Sequence, residues 1–151
     1  MAQTLTYSFL DVKAAITGPG GTISLGSGAG SSEEGVTVEP SENIDTMVIG
    51  ADGSPMHSLL ADKSGRVIVR LLKTSPTNNL LAAMMEFQRL SSATHGQNTV
   101  TIVNIASGDS ITCRSVAFAK RPNLAYAKEA GFNDWEFNCG IIDMLLGAGV
   151  N

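Results

Sequence analysis

The chain has 151 residues, a net charge of −4 and only 16% charged residues. That length suits one domain with a sizeable core. Charge this sparse and acidic argues against a free-standing nucleic-acid binder, which needs clustered Lys and Arg to neutralise phosphates. The basic residues are scattered, and the only short cluster is Lys120-Arg121. A charge-poor surface favours assembly. The first ten residues, MAQTLTYSFL, lack the basic region and apolar run of a secretory signal. No apolar run is long enough to span a membrane. Cys113 and Cys139 lie far apart without the CxxC spacing of a zinc site. They read as one disulfide or, as expected in a reducing compartment, as two buried thiols.

Residues 4–14 alternate, with Leu5, Tyr7 and Phe9 on one face, and are expected to form the first strand. Gly18-Pro19-Gly20-Gly21 is a turn and 22–25 a short second strand. Residues 26–34, GSGAGSSEE, hold no apolar side chain larger than alanine and are expected as a loop, mobile or ordered by a neighbour. Strands follow at 36–39 and 46–49, separated by a polar stretch. Glu33, Glu34, Glu39, Glu42 and Asp45 make this the one acidic region. Asp52-Gly53 reads as a tight turn and 56–61 as a further strand.

Residues 65–90 organise the chain. Val67, Val69 and Leu71 fall on one strand face, with Arg66, Ile68, Arg70 and Leu72 on the other. The chain turns at Ser75-Pro76 and continues as a helix over 76–90, with Pro76 tolerated in the first turn and Ser75 or Thr74 placed to cap it. On a helical projection Ala83, Leu80, Phe87, Met84, Leu81 and Met85 sweep about 220°, broader than one core needs. The helix is therefore either buried deeply in its own domain or shared with another subunit. Ala82, Glu86 and Arg89 mark its wet side.

Residues 99–105 and 110–119 read as two strands joined through Ser107-Gly108-Asp109. Arg121-Pro122-Asn123 marks a bend. Residues 133–139 alternate cleanly, with Trp135, Phe137 and Cys139 inward and Asp134, Glu136 and Asn138 outward. The pattern is many short strands and one helix packed on them, a mainly β fold rather than alternating β and α units.

No catalytic constellation emerges. The Gly26–Ser32 stretch lacks the Gly-Lys-Ser/Thr and following helix of a phosphate loop. His57 and His95 have no Gly-x-Ser-x-Gly elbow to serve. Asp134 with Glu136, and Glu33 with Glu34, read as wet strand and loop carboxylates. Asp109 and Asp143 show no metal-ligand spacing. No cofactor and no metal is expected, and the chain does not read as an enzyme. The outward strand positions Thr99, Thr101, Thr112, Ser115, Ala117, Ala125 and Ala127 are small. Such faces suit close contact with other chains or a lining that lets something pass. The strand 111–118 carries only Arg114 as a guard and reads as an edge that another chain would pair.

The stretches YSFLDVKAAITGPGG (7–21), GADGSPMHSLLADKSG (50–65), RVIVRLLKTSPTN (66–78), HGQ (95–97) and FAKRPNLAYAKEAGFNDWEF (118–137) together resemble the tail tube proteins of contractile-tailed bacteriophages. The resemblance spans nearly the whole chain and implies one tail tube domain over 1–151. It implies a β-sandwich with one flanking helix, six copies closing a ring around a shared inner β-barrel, and rings stacking into the tube inside a contractile sheath. Implied partners are further copies, the sheath, baseplate and tail terminator proteins, and, transiently in the lumen, a tape measure protein and DNA. No membrane binding is implied.

Three expectations follow from the resemblance. The stretch 18–35 or 50–65 reaches the next ring, through Gly26, Ser27, Gly28, Gly30, Ser31, Glu33 and Glu34 or through Asp52, Met56 and His57. Leu81, Met85, Glu86 and Arg89 of the helix meet a neighbouring subunit or the sheath. Small and acidic strand residues face the lumen, with Thr46, Thr99 and Thr101 among the candidates. The competing readings are a terminator, baseplate or sheath protein of the same fold, and a small β-sandwich binding module.

Overall fold

The computed structural model describes residues 6–25 and 31–147, those of 31–34 by their backbone alone. Among them are nine strands and one α-helix: β1 Val12–Gly18, β2 Gly21–Ser24, β3 Ser31–Pro40, β4 Asp45–Ile49, β5 Pro55–Leu59, β6 Gly65–Leu72, α1 Thr77–Gln88, β7 Asn98–Asn104, β8 Asp109–Lys120 and β9 Phe132–Leu145. Seven strands form one antiparallel sheet in the order β2-β1-β7-β8-β9-β6-β3, and β4 pairs only with β5.

Alternation dictates which side chains enter the core. Val12, Ala14 and Ile16 of β1, Val100 and Ile102 of β7, Trp135, Phe137 and Cys139 of β9 and Val67, Val69 and Leu71 of β6 share one buried cluster. Strands from both sides of the sheet thus contribute to the same interior, so the sheet is rolled. Phe9, just ahead of β1, packs close to Gly35 of β3 at the far edge; a Cβ added at Gly35 would lie 2.9 Å from its ring. Gly35 also has φ +57, a conformation that suits glycine.

Helix α1 lies over the interior with Leu81, Met84 and Met85 in the core. Its start is tied down by Asn78, which donates to Leu72 O and Ser75 O and accepts from Trp135 Nε1 at 2.9 Å. Ser75 Oγ accepts from the Thr77 amide at 3.2 Å, so the expected serine cap is present one position ahead of Pro76. At its end, Gln88 and Asn98 exchange two amide hydrogen bonds of 2.7 Å, and Gln88 also donates to Pro19 O and Asn98 to Val116 O. This explains the polar residue interrupting the apolar arc. Buried amides are stable when fully partnered. A Cβ at Gly18 would collide with Asn98 Oδ1, so the first turn needs its glycine.

Several expectations change. The strand expected over 4–14 begins only at Val12; Phe9–Asp11 is a 3-10 turn capped by Ser8 Oγ, and Tyr7 is exposed. Leu5 lies outside the described residues. The strand read as an edge at 111–118 is interior, because β8 pairs with both β7 and β9; the edges are β2 and β3. Residues 31–34 belong to β3, whose Ser31 pairs with Leu71, so this chain's own β6 orders them. Ala125 and Ala127 are not on a strand but in an exposed segment between β8 and β9. The apolar tail through Leu145 continues β9. In β8, Ser115 at φ 55 lies in a bulge against β7, so Cys113 and Val116, three apart, both point inward.

Candidate functional site

Between β3 and β6 the chain leaves the sheet as an arm, residues 41–63, built on the β4–β5 hairpin. Its tip is a tight turn in which Gly53, at φ +87, donates to Gly50 O and the Ser54 amide donates to Asp52 Oδ1 at 3.0 Å. The hydrogen bonds from Ser54 hold the Asp52 carboxyl below its ordinary value. At the base, Asp62 accepts similarly from the Ser64 amide. His57 Nδ1 lies 2.9 Å from Asp45 Oδ2 on the neighbouring strand. The arm's sequence is apolar, yet Met47 is 54% and Val48 52% exposed. Successive strand residues point to opposite faces, so neither face of the hairpin is covered. Ile44, Ile49, Met56 and Leu59 are exposed as well. The arm base frames an apolar cavity of about 570 Å³ lined by Pro40, Ile44, Leu59, Leu60, Ile142 and Met144 among others.

The outer face of the sheet carries mostly small side chains at one side, with Lys13 of β1 among them, and ion pairs at the other. Ala15, Thr101, Thr112 and Asp143 stand in one cross-strand row, with Thr17 beside Thr99 in a second. Arg70 grips Asp134 through two bonds of 2.6 and 3.0 Å. Arg66 meets Glu39 at 3.0 Å and Glu136 at 3.9 Å. Arg114 meets Asp143 at 2.8 Å. Asp134 and Glu136 therefore serve cross-strand ion pairs.

The helix end supplies the third surface. A cleft of about 340 Å³ is lined by Met85, Gln88, Arg89, His95, Phe118, Ala119, Lys120 and Arg121. Glu86 accepts from Arg121 Nη2 at 2.8 Å and lies 3.6 Å from Arg89. The Arg121 hydrogen bond lowers the Glu86 pKa from its ordinary value. Beside it, Leu80, Ala83 and Phe87 border a second groove against Gly20–Ile23.

The expected contact residues divide accordingly. Asp52, Met56 and His57 lie together on the arm. Gly26, Ser27, Gly28 and Gly30 lie outside the described residues, as do the side chains of Ser31, Glu33 and Glu34. Thr99 and Thr101 share the outer sheet face, while Thr46 sits apart on the arm. Glu86 and Arg89 are exposed, but Leu81 and Met85 are core residues at 0% and 6% exposure. The apolar side that α1 leaves uncovered is instead Leu80, Ala83 and Phe87. The sequence reading missed Met47, Val48 and Ile49; the signal was a β-branched run with no wet alternate position.

Cys113 and Cys139 are free, buried neighbours, and Cys139 Sγ donates to Phe137 O at 4.0 Å. The Cys113 thiol and burial push the Cys139 pKa far up. Among the described residues no group of three or more His, Cys, Asp or Glu is placed to hold a metal ion, and no helix is long and apolar enough to cross a membrane.

No curated protein matches the chain at a significant level. Solved structures match across almost its full length at low identity. One, described as the tube-terminating cap of the anti-feeding prophage, matches at TM-score 0.59 and 10% identity, covering 97% of this chain and 95% of that one. A chain of the sheath/tube terminator of an extracellular contractile injection system (PVC), in the extended state, matches at TM-score 0.59 and 11% identity, covering 95% and 99%. A chain of the PVC sheath-tube complex matches at TM-score 0.53 and 10% identity, covering 89% and 88%. These likenesses establish the fold. The family model described as bacteriophage PhiTE tail tube protein matches residues 4–147, and the chain belongs to that family of phage tail tube proteins, structural components of the virion tail.

Proposed function

We propose that six copies of this chain close a ring, that rings stack into the inner tube of a contractile tail, and that DNA leaves through the bore. The observation that carries stacking is the arm: a two-stranded hairpin with apolar residues on both faces is marginal alone in water and needs a covering surface. The open edges β2 and β3 supply the strands through which neighbouring subunits complete a shared barrel. Thr99 and Thr101 face the lumen, where small side chains and the pairing of Arg66, Arg70 and Arg114 to carboxylates leave DNA few phosphate contacts to hold it. The helix side carrying Leu80, Phe87, Glu86 and Arg89 turns to a neighbouring subunit or to the sheath. The baseplate and the terminator bound the tube at its ends, and a tape measure protein occupies the lumen during assembly. The role is structural rather than catalytic.

A terminator, which caps a tube without polymerising, is the second reading. It is favoured by the TM-scores of 0.59 to two terminating assemblies against 0.53 to the sheath-tube complex. Negative-stain electron microscopy across a concentration series separates the two. Hollow tubes of stacked rings support the tube, single rings that never stack support the terminator, and a concentration-independent monomer overturns both.

A further inference from the structure

The net charge of −4 is not shared evenly by the sheet. On β3, β6 and the N-terminal half of β9, Arg66 and Arg70 stand against Glu39, Asp134 and Glu136, so carboxylates are in excess. On the outer face of β1, β7, the N-terminal half of β8 and the C-terminal half of β9, the balance reverses. Asp143 there takes both Arg114, at 2.8 Å, and Lys63, at 4.0 Å. One carboxylate shared by two cations leaves a positive excess. Lys13 adds to it. It lies outward between buried Val12 and Ala14, in a cross-strand row with Val103, Ser110 and Leu145, none of them acidic. Its side chain has no hydrogen-bonding or ionic partner among the described residues, and β7 and β8 stand between it and Asp143. The other carboxylate of these strands, Asp109, is on the opposite face, beside Phe9, Val12 and Ile102.

We propose that this face meets the phosphate backbone of double-stranded DNA, with Lys13 as the free contact and Arg114 and Lys63, gathered by Asp143, as the charge behind it. The inference rests on the reading that Thr101 and its neighbours line the bore, and it names the few phosphate contacts that the lining keeps. Every copy in a ring repeats the same excess, so a duplex is drawn equally to all sides and held near the axis. The contacts are exposed and sparse, so they are weak and fall away with salt.

The test is retention of duplex DNA by tubes of the full chain, assembled with a fluorescent duplex of about 20 base pairs and sedimented at salt from about 0.05 to about 0.5 M. Unmodified tubes retain the duplex at low salt and release it at high salt. Lys13→Thr weakens low-salt retention on the order of tenfold and flattens its salt dependence. Asp143→Asn frees Arg114 and Lys63 and strengthens retention, a gain that a misfolded chain does not produce. Lys120→Thr, off this face, changes nothing. Unmodified tubes that hold no duplex, or Lys13→Thr tubes that hold it as well as unmodified ones, overturn the contact. So does a Lys13→Thr chain that forms no tubes, which assigns Lys13 to a subunit boundary, and so do tubes that hold polyglutamate but no duplex, which assign the face to an acidic protein. The bore reading is tested apart with Thr101→Cys in assembled tubes, the native cysteines being buried. Labelling by a small maleimide but not by one carried on a protein supports the bore, and protection without DNA retention overturns the contact alone. Equal labelling by both reagents overturns the bore reading and the contact with it, as does an unmodified chain that never forms tubes.

Discussion

The rolled sheet and the arm are built from similar residues and meet opposite fates. In β6, Val67, Val69 and Leu71 are fully buried while Arg66 stays wet and Ile68 and Arg70 are half-covered. In β4, Met47, Val48 and Ile49 are all about half exposed or more. The difference lies in what stands opposite. β6 has strands on both sides and a core beneath; β4 has one partner strand and nothing on either face. An apolar strand without alternation thus leaves apolar side chains open on both faces, whereas one with alternation is completed by its own core.

That contrast can be broken in order of expected effect. Met85→Glu places an unpaired charge in the interior and is expected to destabilise the chain by roughly 4 kcal/mol or more. Denaturant unfolding of the unassembled protein checks it, and an unchanged midpoint would place Met85 on the surface. Asn98→Ala strands the Gln88 amide among buried atoms and removes the bond to Val116 O. A loss of about 2–3 kcal/mol is expected by the same measurement. In the arm, Val48→Asp is expected to leave unassembled stability within about 0.5 kcal/mol while tube formation falls sharply. A stability loss like that of Asn98→Ala would mean the arm packs on its own sheet.

Two smaller effects sharpen the comparison. Cys113 and Cys139 push each other's pKa in opposite directions, Cys113 down and Cys139 up, but both thiols are buried, so alkylation near pH 8 is expected only on unfolding. Rapid labelling of native protein would contradict the packing of β8 on β9. Glu86 has a folded pKa below its ordinary 4.5 because Arg121 donates to it. Its contribution is therefore present above the ordinary carboxylate value and lost as pH falls through the lowered one. At this exposed site the effect on stability is small. An NMR titration is expected to show the Glu86 midpoint rise in Arg121→Gln, and no movement would remove the ion pair from the cleft.

Much of the fold was legible. Alternation located β6 and the first half of β9, glycines located the turns at 18–21 and 53, and Ser75-Pro76 located the helix start, because each depends on neighbours in sequence. What failed depended on neighbours in space. The helix arc did not say that Leu81 and Met85 face the interior and Leu80 and Phe87 do not, since width alone carries no direction. The strand at 111–118 looked unguarded because its protection comes from β7 and β9. Of the residues singled out as contacts, Asp52, Met56 and His57 stand together on the arm, whereas Lys120 and His95 line one cleft only through the fold.

By itself, the sequence determined a mainly β chain with one helix, no catalytic constellation and a family likeness spread over ordered stretches, since composition, periodicity and motif order are local or additive properties. Only the tertiary structure decided which strands are edges, which side of α1 is covered, and that the β4–β5 arm stands clear of the seven-stranded sheet. Those are outcomes of strand direction and pairing, which residues far apart in the chain settle together.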